Sequence, residues 1–173
     1  MRPGKLLFYN EISKFLNITE YNSVLDAASA DFKNINLFLS KNYTGIDINP
    51  SLIRDGLKKY PTATGISGDI LNTCDLVGQK KYDLCISTHT LSHLSGENIL
   101  KAITQLIKVN ANNGSIIFNI QSHQHLSKNI LDLLSENYNN YYYVRYQNLY
   151  SRLLEFFFEN SQGVFVPGIA GRL

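Results

Sequence analysis

Two stretches of this chain are apolar almost without interruption, Tyr82–Ser87 (YDLCIS) and Ser115–Ile120 (SIIFNI). Strands of that kind are covered on both faces, as the central strands of a parallel sheet are. Between them Ile99, Ile103, Leu106 and Ile107 recur at helical spacing. Strand, helix and strand in that order require a crossover connection, and crossovers are right-handed.

The rest of the chain repeats the alternation. Phe8, Ile12, Phe15 and Leu16 mark an opening amphipathic helix, and Ser23–Ala27 (SVLDA) is a first strand. Lys33–Ser40 is expected to be the first crossover helix. Tyr43–Ile48 is the second strand, followed by Asn49 as N-cap and Pro50 in the first turn of a helix with Ile53, Leu57 and Tyr60 inward. Thr64–Ser67 is a short third strand. Asn112–Gly114 are expected to turn into the SIIFNI strand, and Ile130, Leu131, Leu133 and Leu134 mark a late helix capped by Ser127. Tyr141–Gln147 and Gly163–Val166 read as strands, while Leu153–Phe158 fits either strand or helix. No Pro- or Ser-rich linker and no repeat divides the 173 residues. The expectation is one domain over 1–173. It is α/β and doubly wound, with a mostly parallel sheet and an antiparallel C-terminal end.

Composition narrows the function. The formal charge is +2, with no basic block to serve as an extended nucleic-acid surface. Cys74 and Cys85 do not form a metal-type pair and read as reduced thiols, which implies a cytoplasmic protein. Glu11 and Lys14 interrupt what would be a signal-peptide core, and the apolar runs are too short to cross a membrane.

In doubly wound folds ligands bind past the carboxyl ends of the strands. Three aspartates fall there: Asp26, Asp47 and Asp69. A carboxylate after the second strand can accept hydrogen bonds from ribose hydroxyls. With no Lys or Arg among them, the three suit a ligand of cationic character without phosphates. Each can also be read as a turn or helix-cap residue. The loop after the first strand, within VLDAASADF, contains no glycine. A nicotinamide-dependent reductase would place Gly-x-Gly-x-x-Gly there, and that fingerprint is absent.

Five stretches in order resemble the class I S-adenosylmethionine-dependent methyltransferases: VLDAASADF, YTGIDINPSLI, SGDIL, YDLCISTHTLSHL and NNGSIIFNI. The match runs over about Leu6–Gln121. The resemblance implies S-adenosylmethionine as cofactor. It places Asp26 toward the methionine end, Ala28 and Ala30 as the loop floor, Asp47 on the ribose hydroxyls and Ile48 on the adenine. It gives Asp69 the adenine amine, the Ile70 backbone the ring, and Ser87 with Thr88 the methyl-transfer mouth. The family's three loop glycines read Ala28, Ala30 and Phe32 here, a degenerate glycine motif. Phe32 would point into the core behind the loop or fill part of the cofactor site.

All four histidines follow two strands: His89 and His93 after the fourth, His123 and His125 after the fifth. An imidazole there could act as general base for a hydroxyl or amine acceptor, with His89 the first candidate and His123 the second. His93, between Leu91 and Leu94, also reads as structural. The spacings HTLSH and HQH resemble metal-ligand spacings, but no carboxylate or cysteine accompanies them in sequence, so no metal is expected. The expected activity is methyl transfer to oxygen or nitrogen of a small molecule. The acceptor would be held by short loops and the N-terminal helix, or covered by a second copy or a partner subunit. The alternative is a methyltransferase fold without catalysis, serving as a binding or scaffold subunit.

Overall fold

Asn49 starts the helix after the second strand as the sequence predicts. Its side chain accepts from the Ser51 N–H at 2.9 Å, and Pro50 occupies the first turn. The computed structural model describes residues 3–16, 21–38, 42–120, 128–142, 144 and 150. Its elements are α1 (Pro3–Leu16), β1 (Ser23–Ala27), β2 (Asn42–Asp47), α2 (Pro50–Lys59), β3 (Thr64–Ser67), α3 (Thr73–Val77), β4 (Tyr82–Ser87), α4 (Gly96–Val109), β5 (Asn110–Phe118) and α5 (Lys128–Asn137). The chain divides into two compact units, Glu20–Tyr141 and Met1–Thr19 with Tyr142–Leu173. In the second, Phe15 of α1 lies against Tyr142, ring centroids 6.2 Å apart.

The sheet belongs to the first unit. Its order is β3-β2-β1-β4-β5 and every pairing is parallel. Strand order reverses between β1 and β4, which opens a crevice at their carboxyl ends. The core strands are buried as their apolar runs demand: Val24, Leu25, Ile46, Leu84, Cys85 and Ile86 have no exposed surface. Burial pushes the Cys85 thiol up to about 12, so it behaves as a core residue rather than a nucleophile. Helix α4 turns Ile99, Ala102, Ile103, Leu106 and Val109 inward.

Two expectations are corrected. Between β1 and β2 the described residues form no α-helix, only a 3-10 turn at Ile35–Leu37. Asn34, Ile35 and Asn36 are poor helix formers. The left-handed residues just before them send the chain into turns, and Phe38 is already extended and buried. The Asn112–Gly114 turn is instead a bulge inside β5: Tyr82 pairs with Asn110 but Leu84 with Ser115. The Asn110 amide clasps it, donating to the carbonyls of Tyr82 (2.9 Å) and Ser115 (3.1 Å). The antiparallel end, the Ser127 cap, Leu153–Phe158 and the Gly163–Val166 strand lie on residues outside those described; of the strand expected over Tyr141–Gln147, the described residues Tyr141, Tyr142 and Val144 are not in a strand. No helix among the described residues is long and apolar enough to cross a membrane.

Candidate active site

The loop after β1 keeps a left-handed backbone without any glycine. Ala28, Ala30 and Phe32 have φ of 67°, 51° and 64°. An L-residue pays about 1 kcal/mol or more for each such torsion. Three hydrogen bonds to β2 help hold the loop there. The Ser29 N–H donates to the Ile46 carbonyl at 2.9 Å, and the Ser29 hydroxyl to the same oxygen at 3.3 Å. The Ala30 N–H donates to Asp47 Oδ2 at 2.9 Å. Each is worth about 1 kcal/mol. On the surface, the Asp31 carboxylate is bonded by the Lys59 ammonium of α2, which holds it below the usual carboxylate range.

Phe32 points into the core behind the loop. Its side chain is fully buried and meets Tyr43 edge-on at 5.4 Å. Room for it comes from two glycines. A Cβ on Gly56 of α2 would lie 2.8 Å from ring carbons of Phe32, and one on Gly45 of β2 would be closer still. The hydrogen-for-side-chain exchange that the loop lacks is therefore found beneath it.

Asp26 is fully buried, opposite Gly45 in the register of β1 and β2. Its Oδ2 accepts from the Tyr43 hydroxyl at 2.7 Å and from the Asn34 amide at 3.0 Å. Its Oδ1 has no hydrogen-bond partner among the described residues. Burial raises its carboxyl to about 6; the bonds from Tyr43 and Asn34 oppose the rise and the nearby Asp47 adds to it. Asp47, the last residue of β2, uses one oxygen for Ala30 and the other for the Asn49 N–H at 2.9 Å. Each oxygen retains a lone pair. The next residue, Ile48, is 71% exposed. Asp69 caps the 3-10 turn at Ile70–Asn72 by accepting from the Leu71 N–H at 2.9 Å, and the Ile70 side chain is buried. The cap reading of Asp69 is thus correct, and leaves its second oxygen available.

Across the crevice, Ser87 is fully buried with its hydroxyl unpartnered among the described residues. Thr88 Oγ1 accepts from Asn34 at 3.1 Å. His89 is half-buried with φ 58°, and its N–H donates to Asn119 Oδ1 at 2.7 Å. The four non-glycine residues with left-handed φ among those described thus all lie at this end of the sheet. β4 and β5 are neighbours as expected, but His123 and His125 lie outside the described residues, so no meeting of imidazoles is observed. His93 is exposed on the 3-10 turn Leu91–His93.

Sequence reasoning missed Tyr43, Asn34 and the paired glycines. Gly45 carried a signal: a glycine inside a strand marks close approach by another group.

The fold and the strand-end residues define a doubly wound α/β domain whose strand order reverses between β1 and β4, the place where such sheets bind ligands. A family model described as a methyltransferase domain matches residues 25–118, more than half of the chain. The chain belongs to that family, the class I S-adenosylmethionine-dependent methyltransferases. Solved structures agree on the fold. The N-methyltransferase NodS from Bradyrhizobium japonicum WM9 is 18% identical, with a TM-score of 0.62 over 78% of this chain and 82% of that one. Its complex with S-adenosyl-L-homocysteine gives 19% and 0.58 over 68% of this chain; the match spans 62% of that chain. Magnesium protoporphyrin IX methyltransferase from Synechocystis PCC 6803, with bound S-adenosylmethionine, gives 19% and 0.59 over 78% of this chain and 68% of that one. No curated protein matches by sequence.

Proposed function

We propose that this chain transfers a methyl group from S-adenosylmethionine to an oxygen or nitrogen of a small molecule. The observation that carries the reading is the loop itself. Ala28, Ala30 and Phe32 retain a costly left-handed backbone, strapped to Asp47, with no glycine to make it easy.

The residues present fit the cofactor. Asp47 has lone pairs left for the ribose hydroxyls, and the exposed Ile48 offers an apolar face for adenine. Asp69 would take the adenine amine and the Ile70 backbone the ring edge. Ala28 and Ala30 would form the floor. Asp26 would balance the cationic methionine end from below, where its Oδ1 has no hydrogen-bond partner among the described residues. When bound, S-adenosylmethionine supplies a methyl group on a sulfonium as the electrophile. The chain's contribution is alignment of the acceptor past Ser87. His89 would take the acceptor's proton on an imidazole nitrogen, with His123 as second candidate. The acceptor would be held by short loops, or covered by a second copy or a partner subunit. The reading places the protein in the cytoplasm.

A second reading has one observation in its favour. The methyls of Ala28 and Ala30 stand where glycine would let a ligand closest to the backbone. On that reading the chain is an inactive binding or scaffold subunit. Calorimetric titration with S-adenosylmethionine and S-adenosylhomocysteine separates the two. Binding that adds about 2.7 kcal/mol of stability at a hundredfold saturation supports the enzyme. No binding and no shift in the melt at millimolar ligand supports the scaffold.

A further inference from the structure

The side-chain amide of Asn34 bridges the crevice. Its Nδ2 donates to Asp26 Oδ2 at 3.0 Å and to Thr88 Oγ1 at 3.1 Å. A primary amide nitrogen carries two hydrogens, so both bonds form together. Asn34, Asp26 and Thr88 are all buried. Thr88 directly precedes His89, whose N–H is held by Asn119 from beyond β5. The turn after β4 is therefore tied on one side to the loop of β1 and on the other to the end of β5.

We infer that Asn34 is a positioning residue of this site: it fixes the carboxylate at the end of β1 to the turn at the end of β4, so that the cofactor loop and the acceptor mouth hold one geometry. The inference rests on the methyltransferase reading above. An aspartate at 34 would bring a second carboxylate against Asp26 with no hydrogen to give, and an alanine would leave both acceptors without this donor. From β2, Asp26 is faced by Tyr43 and Asp47, and Thr88, which shares its Asn34 donor from the turn after β4, does not titrate near neutrality. Asn34 is the donor that joins the two sides.

The test follows the Asp26 carboxyl by carbon-13 NMR in the full chain and measures S-adenosylhomocysteine affinity between about pH 5 and pH 8, in wild type, Asn34→Ala and Thr88→Val. In wild type Asp26 titrates near the value of about 6 set by its burial. In Asn34→Ala it titrates at higher pH, and the pH profile of affinity moves with it. Affinity near pH 7 falls about tenfold, the worth of a hydrogen bond to a charged group. Thr88→Val weakens binding less, and the double variant loses less than the two singles combined. If Asn34→Ala does not fold, Thr88→Val against Thr88→Ser carries the test, with only serine restoring wild-type affinity. An Asp26 midpoint unmoved in Asn34→Ala, an affinity profile that ignores the shift, or strict additivity overturns the inference. If the wild type binds neither S-adenosylmethionine nor S-adenosylhomocysteine, the methyltransferase reading fails instead, and the Asp26 titration alone decides on Asn34.

Discussion

The ring of Phe32 occupies the place a side chain at Gly45 would take: a Cβ there would lie 2.6 Å from Phe32 Cδ1. Restoring the family's third glycine is therefore expected to damage this protein. Phe32→Gly empties a fully buried site, and losing a buried aromatic costs about 3–5 kcal/mol, only partly offset by the relaxed torsion. Urea unfolding should show a net loss of about 3 kcal/mol. Calorimetry should show weaker S-adenosylhomocysteine binding; tighter binding would contradict the packing account.

Ala28 and Ala30 lie differently, because both are only partly buried. Ala28→Gly and Ala30→Gly relieve left-handed strain of about 1 kcal/mol each and give back part of it in chain entropy. The expected outcome is unchanged or slightly raised stability, by up to about 0.5 kcal/mol per site. Melting curves of the two variants check it.

Asp47 holds two backbone N–H groups, those of Ala30 and Asn49. Asp47→Ala leaves both without that acceptor, and is expected to cost about 2 kcal/mol of stability. Cofactor affinity should fall at least about tenfold, because the loop strap and the ribose acceptor go together. A variant that binds S-adenosylhomocysteine as wild type does would remove Asp47 from the site.

The buried Asp26 makes stability depend on pH in a stated direction. Its carboxyl rises from 3.8 to about 6 on folding. Between those values the folded chain holds a proton that the unfolded chain has lost. Stability is therefore full at acid pH and falls as pH rises through about 6. Asp26→Asn should gain about 2 kcal/mol near pH 7, with the gain vanishing toward the acid end of that window. The same variant should bind S-adenosylhomocysteine more weakly. Unfolding curves at both pH values and one titration check the pair of effects.

His89→Gln should reduce turnover about a hundredfold or more while cofactor affinity stays at the wild-type value. A kcat that does not change would move the base to another residue.

Much of this was legible from residues alone. The apolar runs and the Asn49–Pro50 start placed β1 to β4 and the beginning of α2 within a residue or so, because burial on both faces and cap chemistry leave local marks, whereas β5 begins at Asn110, ahead of the expected Ser115, because its bulge hides the early residues. The crossover after β1 was not legible. Lys33–Ser40 carries helix-like apolar spacing, yet the three left-handed residues before it are invisible to a pattern that expects glycine for such torsions. The Asp26–Tyr43–Asn34–Thr88 network was equally hidden, since its members come from four places in the chain and meet only when β1 lies between β2 and β4.

The exchange between Phe32 and the two glycines also constrains how such a loop can change. Positions 32, 45 and 56 share one volume, filled here by one ring and two hydrogens. Putting glycine at 32 alone leaves an empty cavity, and putting a side chain at 45 or 56 alone makes a collision with the Phe32 ring. The three positions should therefore behave epistatically, with each change tolerated or rejected according to what the other two already are. A glycine at 32 becomes acceptable only in a background where 45 or 56 has grown to fill the gap.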